Sequence, residues 1–384
     1  MRYLLLSTLA LFAGSVDGAG GALSPAAAKI NAAHRMITAN PESYAHYNAL
    51  AMALAQRARE TADTSFYEQA LETLKRSFEL APGNFEGEKI RAWVLLGRHE
   101  FAEALKLAKA LNRKAPDDIQ VYGFLADAHI ELGNYAEAEK AAQWMLDLRP
   151  GNVAGLTRGA YLRELFGDLE GAVEFMTEAL TRTPPGEVED RAWILTHVAH
   201  LQRLLGRIEV SERILGAALR LFPDYHYAVA ELGRLRTEQG RHAEAARLFQ
   251  RHYELAPHPE NLFLLGEALE KAGETKEARA AFEKFEQAAR EEAESVDNAN
   301  RELVFYYADY AARPEEALEV ARMEFARRQD VFTRGAYAWA LFRNGEREEA
   351  RRQIEAALAV GVRDPKLLRH AEQIRGVREA AGIR

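Results

Sequence analysis

Six prolines at a fixed spacing constrain this chain more than any other feature. Pro82, Pro116, Pro150 and Pro184 stand 34 residues apart, and Pro223 and Pro257 follow after steps of 39 and 34. Gly133, Gly167, Gly206 and Gly240 each lie 17 residues ahead of one of the last four. Proline lacks a backbone donor and clashes with the preceding turn, so it closes a helix. Glycine adopts the left-handed backbone at which one helix stops and the next can begin. The stretch 119–150 displays a whole unit: IQVYGFLADAHIEL, then Gly133-Asn134, then YAEAEKAAQWMLDLRP. The spacing predicts an all-α chain of repeated helix-turn-helix units. One hairpin of short helices cannot bury its own apolar stripe, so neighbouring units must stack into a solenoid.

The period divides the chain. Ser24-Pro25 reads as a helix start, with a serine cap and proline in the first turn, so residues 25–41 form an N-terminal capping helix. Residues 44–292 hold seven units. Unit 1 carries seven extra residues, expected in its turn near 60–65, and a five-residue insert at 187–191 explains the longer proline step. His99 occupies the glycine position of unit 2. Unit 7 ends without proline, in a lengthened charged helix that stops near a cap at Asp297 or Asn298. Residues 298–364 hold two degenerate units, in the first of which Pro314 opens the second helix. Residues 366–384 form a polar C-terminal cap. About nine repeats between terminal capping helices result.

Aligned units stay small at one place early in the second helix: Ala70, Ala104, Ala138, Ala172, Ala245, Ala278, Ala317 and Ala350, with Ser211 in the fifth unit. A methyl group there lets two helix backbones approach closely. Together with large-small pairs such as Leu125-Ala126 and the closing prolines, this pattern resembles the tetratricopeptide repeat family over nearly all of residues 44–364. The resemblance implies a right-handed superhelical solenoid of stacked antiparallel helix pairs, with first helices lining a concave groove. It also implies a non-enzymatic scaffold that binds a protein or peptide there. The residues placed on that groove are Asn48, Lys89, Trp93, Asp127, Tyr161, Glu164, His200, Arg203, Tyr227, Arg234, Phe263, Glu267, Tyr306 and Trp339. Their aromatics either anchor a partner or pack on the next helix. The carboxylate-gripping set of some family members is matched only by Asn48 and Lys89, so that specificity is not carried over.

The chemistry-bearing patterns are sparse. His197 and His200 stand three apart on one helix and suggest a metal site, and a metal-dependent enzyme using them is one alternative. A structural, self-assembling repeat protein is another. No phosphate-binding GxxxxGK and no GxSxG occurs, and no cofactor is expected. The net charge of −8 argues against a general nucleic-acid surface. Charge is uneven: residues 320–384 hold 14 Lys and Arg against 9 Asp and Glu. Arg2, an apolar run over residues 4–13 and the small residues after it read as a secretory signal spanning about residues 1–18. No cysteine is present to carry a lipid or a disulfide. The expectation is a periplasmic or secreted protein with no membrane span once the signal is removed.

Overall fold

The computed structural model describes residues 24–381. The signal-like start lies outside them. All twenty α-helices pack mainly on their sequence neighbours. The capping helix α1 (Pro25–Ala39) precedes α2 (Tyr44–Thr61) and α3 (Ser65–Leu80) of unit 1. Units 2 to 4 are α4 (Phe85–Gly97) with α5 (Phe101–Lys114), α6 (Ile119–Glu131) with α7 (Tyr135–Leu148), and α8 (Val153–Leu165) with α9 (Leu169–Arg182). Units 5 to 7 are α10 (Val188–Leu204) with α11 (Ile208–Leu221), α12 (His226–Glu238) with α13 (His242–Leu255), and α14 (Pro259–Ala272) with α15 (Thr275–Glu292). Unit 8 pairs α16 (Asn300–Phe305) with α17 (Pro314–Arg327), and unit 9 pairs α18 (Val331–Arg343) with α19 (Arg347–Leu358). The capping helix α20 (Pro365–Ala381) follows.

Local chemistry sets these boundaries. Two residues after Pro82, Pro116 and Pro150, Asn84, Asp118 and Asn152 cap the next helix, their side chains accepting from the N–H groups of Gly87, Val121 and Gly155. Each cap contributes about 1 kcal/mol. Ser24 caps α1 in the same way, with Pro25 in its first turn. Mid-unit turns use a left-handed residue: glycine at 133, 167, 206 and 240, and His99, at φ 58°, in unit 2. The eight aligned alanines and Ser211 are all fully buried. Ser211 Oγ donates to Ala199 O at 2.8 Å, so the one polar member of the set is satisfied.

Three details differ from the expectation. The extra residues of unit 1 do not form a long turn. They lengthen α2 to 18 residues against 13 in α4, and the insert at 187–191 likewise lengthens α10 to 17. A continued helix satisfies its own backbone groups, which an irregular insert would leave to solvent. The unit 8 cap is indirect: α16 starts at Asn300, whose N–H donates to Asn298 Oδ1 at 2.9 Å from two residues upstream. Thirdly, α16 runs into a π-helical turn, Tyr306–Tyr310, which the degenerate sequence did not reveal. Pro314 does open α17.

The solenoid closes on itself. His258 Nε2 meets Ala62 O, and Tyr135 Oη accepts from Val331 N at 2.7 Å, each across 196 residues. His99 Nδ1 stands 2.8 Å from Asp297. Gly133 and Gly167 lie so close to the carbonyls of Gln329 and Gly361 that a methyl group on either would stand 2.5 Å from the oxygen. The mid-unit turns of units 1 to 3 therefore meet the entry loops of units 7 to 9, and that of unit 4 meets the loop leading into α20. The lengthened ends of α2 and α10 also touch, through Arg59 and Glu189 at 3.0 Å. The result is a tightly wound coil whose second turn rests on its first. An apolar cluster bridges the two, holding Ile130, Leu162 and Leu165 together with Val331.

Candidate binding chamber between the two turns

Because the turns rest on each other, the inner face of the first helices is roofed by units 7 to 9. Two cavities of about 300 and 290 Å³ result. Tyr161 and Phe332 line both, so they form one chamber in two compartments.

The first compartment gathers four large aromatic rings, those of Tyr161, Trp193, Tyr227 and Phe332. Helix α8 supplies Tyr161 and Glu164, α10 supplies Trp193, His197 and His200, and α12 supplies Tyr227, Glu231 and Arg234. Phe332 and the loop residues Val362, Arg363 and Asp364 close it from the second turn. Its polar floor is an ion network. His200 stands between two carboxylates, with Nε2 2.9 Å from Glu164 and Nδ1 3.3 Å from Glu231. Burial opposes a charge on this ring, but Glu231 and Glu164 outweigh burial and push its pKa up to about 9. Burial likewise works against the Glu164 carboxylate, yet His197 and His200 hold it down to about 2. Arg203 is buried behind the floor, 2.5 Å from Glu231.

The second compartment is acidic. Glu131, Glu260, Asp297, Glu302 and Asp330 line it, against Arg301, Arg328 and His99. Arg301 pairs with Glu302 at 3.0 Å, and Arg328 turns partly away to Glu324 at 2.9 Å, reaching Glu131 and Asp330 only at 3.7 Å. Burial raises the pKa of Glu131, and Asp330 beside it adds to the effect. Burial also raises that of Glu260. Burial, with Glu260 and Asp297, pushes nearby Glu292 up to about 7. Carboxylates crowded together with few cations raise one another in this way.

The fourteen residues expected on the groove divide. Tyr161, Glu164, His200, Tyr227 and Arg234 come together in the aromatic compartment, and Arg203 braces its floor. The others serve the stack. Asn48 is buried between Ser77 and Asn84, Lys89 is buried on Asp118 at 3.0 Å, and Asp127 pairs with Arg158 at 2.5 Å. Trp93 packs between units 1 and 3. Phe263 and Tyr306 are core residues, and Glu267 holds Tyr310 and Lys366. Trp339 stacks on His370 with ring centroids 4.1 Å apart and donates to Asp309. Of the two readings of the aromatics, packing on the next helix describes Trp93, Tyr306 and Trp339, and exposure to a cavity describes Tyr161. His197 and His200 both face Glu164, and the described residues contain no group of three or more His, Asp or Glu side chains suited to a metal.

Sequence reasoning missed Trp193, Glu231 and every roofing residue. Trp193 and Glu231 sit one helical turn from His197 and Arg234, so inner-face periodicity extended by one position reaches them. Nothing in a 34-residue period announces Phe332 or Asp330 as neighbours of Tyr161 or Tyr135.

Comparison with known proteins agrees with this architecture. Tetratricopeptide repeat models match residues 95–156, 199–260 and 259–292. No curated protein matches the sequence. Among solved structures, the Cut9 and Hcn1 hetero-tetramer of the APC/C is similar over 90% of this chain at 14% identity and a TM-score of 0.55. This chain spans 58% of the length of that one. Human IFIT1, solved as a dimer with PPP-AAAA, is similar over 86% of this chain and 94% of its own, at 14% identity and a TM-score of 0.54. No described helix is long and apolar enough to cross a membrane. The matched stretches, the buried small positions and the stacked helix pairs make this chain a member of the tetratricopeptide repeat family, whose repeats indicate a scaffold for protein–protein interaction.

Proposed function

We propose that the chain is a non-enzymatic scaffold of the bacterial envelope that takes up a polypeptide segment in the chamber between its turns. The observation that carries this reading is the chamber itself: inner-face aromatics gathered around ionised side chains and enclosed by a second turn. Pockets that combine apolar walls with a few placed polar groups are where ligands bind. The human IFIT1 structures hold PPP-AAAA and Gppp-AAAA. A phosphate-bearing ligand requires clustered Lys and Arg, whereas five carboxylates line one compartment here against two arginines. The charge therefore favours a polypeptide over a nucleic acid. The envelope location rests on Arg2 and the apolar run at residues 4–13.

Panning a random peptide library against the purified chain tests the reading. Binders that lose affinity on Tyr161→Ala or Tyr227→Ala are expected. A library that yields none, or tight binding of a 5′-triphosphate RNA oligonucleotide in their place, overturns it. For location, mass spectrometry of the protein recovered from periplasm is expected to show a new N-terminus beyond residue 14. An intact start in the cytoplasm refutes that part.

A further inference from the structure

The binding reading can be taken further, to the chemistry of the segment. The two compartments offer different things to one ligand. In the aromatic one, Glu164 is 92% buried, with a relative exposure of 8%, and its Oε2 makes no hydrogen bond. The nearest donor, His197 Nε2, stands 3.4 Å off and is itself without a hydrogen bond. A buried ionised oxygen left without a donor costs more than the ordinary net worth of a hydrogen bond. Beside His197 Nε2 that oxygen keeps the capacity to accept from a donor that a ligand brings. Around it stand the rings of Tyr161, Trp193, Tyr227 and Phe332.

In the acidic compartment the deficit is of positive charge. His99 serves Asp297 and Arg301 serves Glu302. Asp330 is held as the cap of α18 by the N–H groups of Phe332 and Thr333 and by the Thr333 hydroxyl. Glu131, by contrast, reaches Arg328 only at 3.7 Å, the closest partner of that arginine being Glu324, outside the cavity lining, and Glu260 forms no ion pair among the described residues. Buried carboxylates without matched cations are costly unless something pairs with them. The compartments meet at Tyr161 and Phe332, so neighbouring residues of one extended segment reach both.

We propose that the chamber recognises a basic segment of a partner polypeptide, one Lys or Arg side chain entering among Glu131, Glu260 and Asp330 while an adjoining N–H or O–H donor of the segment bonds Glu164 Oε2 beside the four rings. The stem of a long basic side chain packs on Tyr161 and Phe332 as it crosses between compartments, and its charged end forms charge-assisted hydrogen bonds with the carboxylates. Acidic or phosphorylated segments are rejected by the same carboxylates.

This inference rests on the binding reading, and a double variant separates the two. Glu131→Gln with Glu260→Gln removes two half-buried like charges from the chamber wall. The pKa of both is raised in the folded chain, so the variant is expected to melt at the same temperature as the parent or higher. Peptides selected from the random library on the parent are expected to be enriched in Lys or Arg and to bind the double variant at least about tenfold more weakly, the loss of one charge-assisted contact. Replacing that Arg by citrulline in the best peptide is expected to reproduce the loss on the parent and to cost little on the variant. Binders with no basic residue, or binders indifferent to both changes, overturn this inference and leave peptide binding standing. A library without binders overturns both.

Discussion

Two kinds of seam hold this molecule, and they differ in chemistry. Between neighbouring repeats the contact is apolar and periodic: Ala138, Ala172 and Ala245 are fully buried, with Leu201, Leu215 and Leu235 filling the space around such positions. Between the two turns of the coil specific polar pairs surround an apolar patch: His258 with Ala62 O, His99 with Asp297 and Tyr135 with Val331 N–H, beside Ile130, Leu162 and Leu165. Apolar burial is non-directional and roughly proportional to area. Hydrogen bonds to backbone groups need one geometry and are worth about 1 kcal/mol net each. The first seam therefore supplies cohesion, and the second supplies shape. A stack can lose its second seam and remain a stack of helices, but it then has no chamber.

That contrast can be broken by mutation and by acid. The largest effect is expected from Leu201→Ala in the repeat seam, which removes a fully buried side chain at a cost of about 2–5 kcal/mol. Urea unfolding followed by far-ultraviolet circular dichroism reads it. A loss below 1 kcal/mol would mean that the seam collapses freely around the gap.

Acidification comes next and bears on the turn seam. His226 is buried and donates from Nε2 to Arg59 O at 3.0 Å, and burial lowers its pKa to about 4, with His258 adding to the effect. An unfolded histidine takes its proton near 6.5. Below that pH the unfolded chain binds the proton and the folded chain does not, so stability falls as pH drops from about 6.5 towards 4. The loss attributable to this ring is at most roughly 3 kcal/mol. His252, at about 3, acts in the same direction. Hydrogen exchange at residues 59–62 should accelerate at pH 5 well before global unfolding, and equal protection at pH 5 and 7.5 would contradict the assignment.

Gly167→Ala comes third. Its φ of +82° disfavours any side chain, and the new methyl would collide with Gly361 O, a cost of about 1–3 kcal/mol. The turns should part locally, lengthening the particle in small-angle scattering while helix content is kept. An unchanged scattering profile would show that the coil does not depend on this contact. Tyr135→Phe is expected to be smallest, about 0.5–1.5 kcal/mol for one hydrogen bond, visible as faster exchange of the Val331 amide.

The same division explains what could be read without coordinates. A repeat seam is written every 34 residues, so the alanine positions, the helix-closing prolines and the stand-in role of His99 are legible. The turn seam joins residues about 196 apart through pairs that recur in no unit. Tyr135 with Val331 has no counterpart to average over, and the roof over Tyr161 was invisible for that reason. The groove stripe divides because an inner-face position is either open or taken by the next helix. Lys89 meets Asp118 and Asn48 meets Asn84, both cap residues of the following unit. Where the following unit offers no such partner, as around Tyr161 and Tyr227, the side chain stays available.

The six-unit offset has a bearing on how this chain can change. Solenoids ordinarily tolerate duplication or loss of a module, since each one touches only its immediate neighbours. Here the removal of a single module from the middle would rotate every later loop out of phase with the turn beneath it, putting Val331 out of reach of Tyr135 and Asp297 out of reach of His99. Module number is thus locked by phasing, as teeth are in meshed gears.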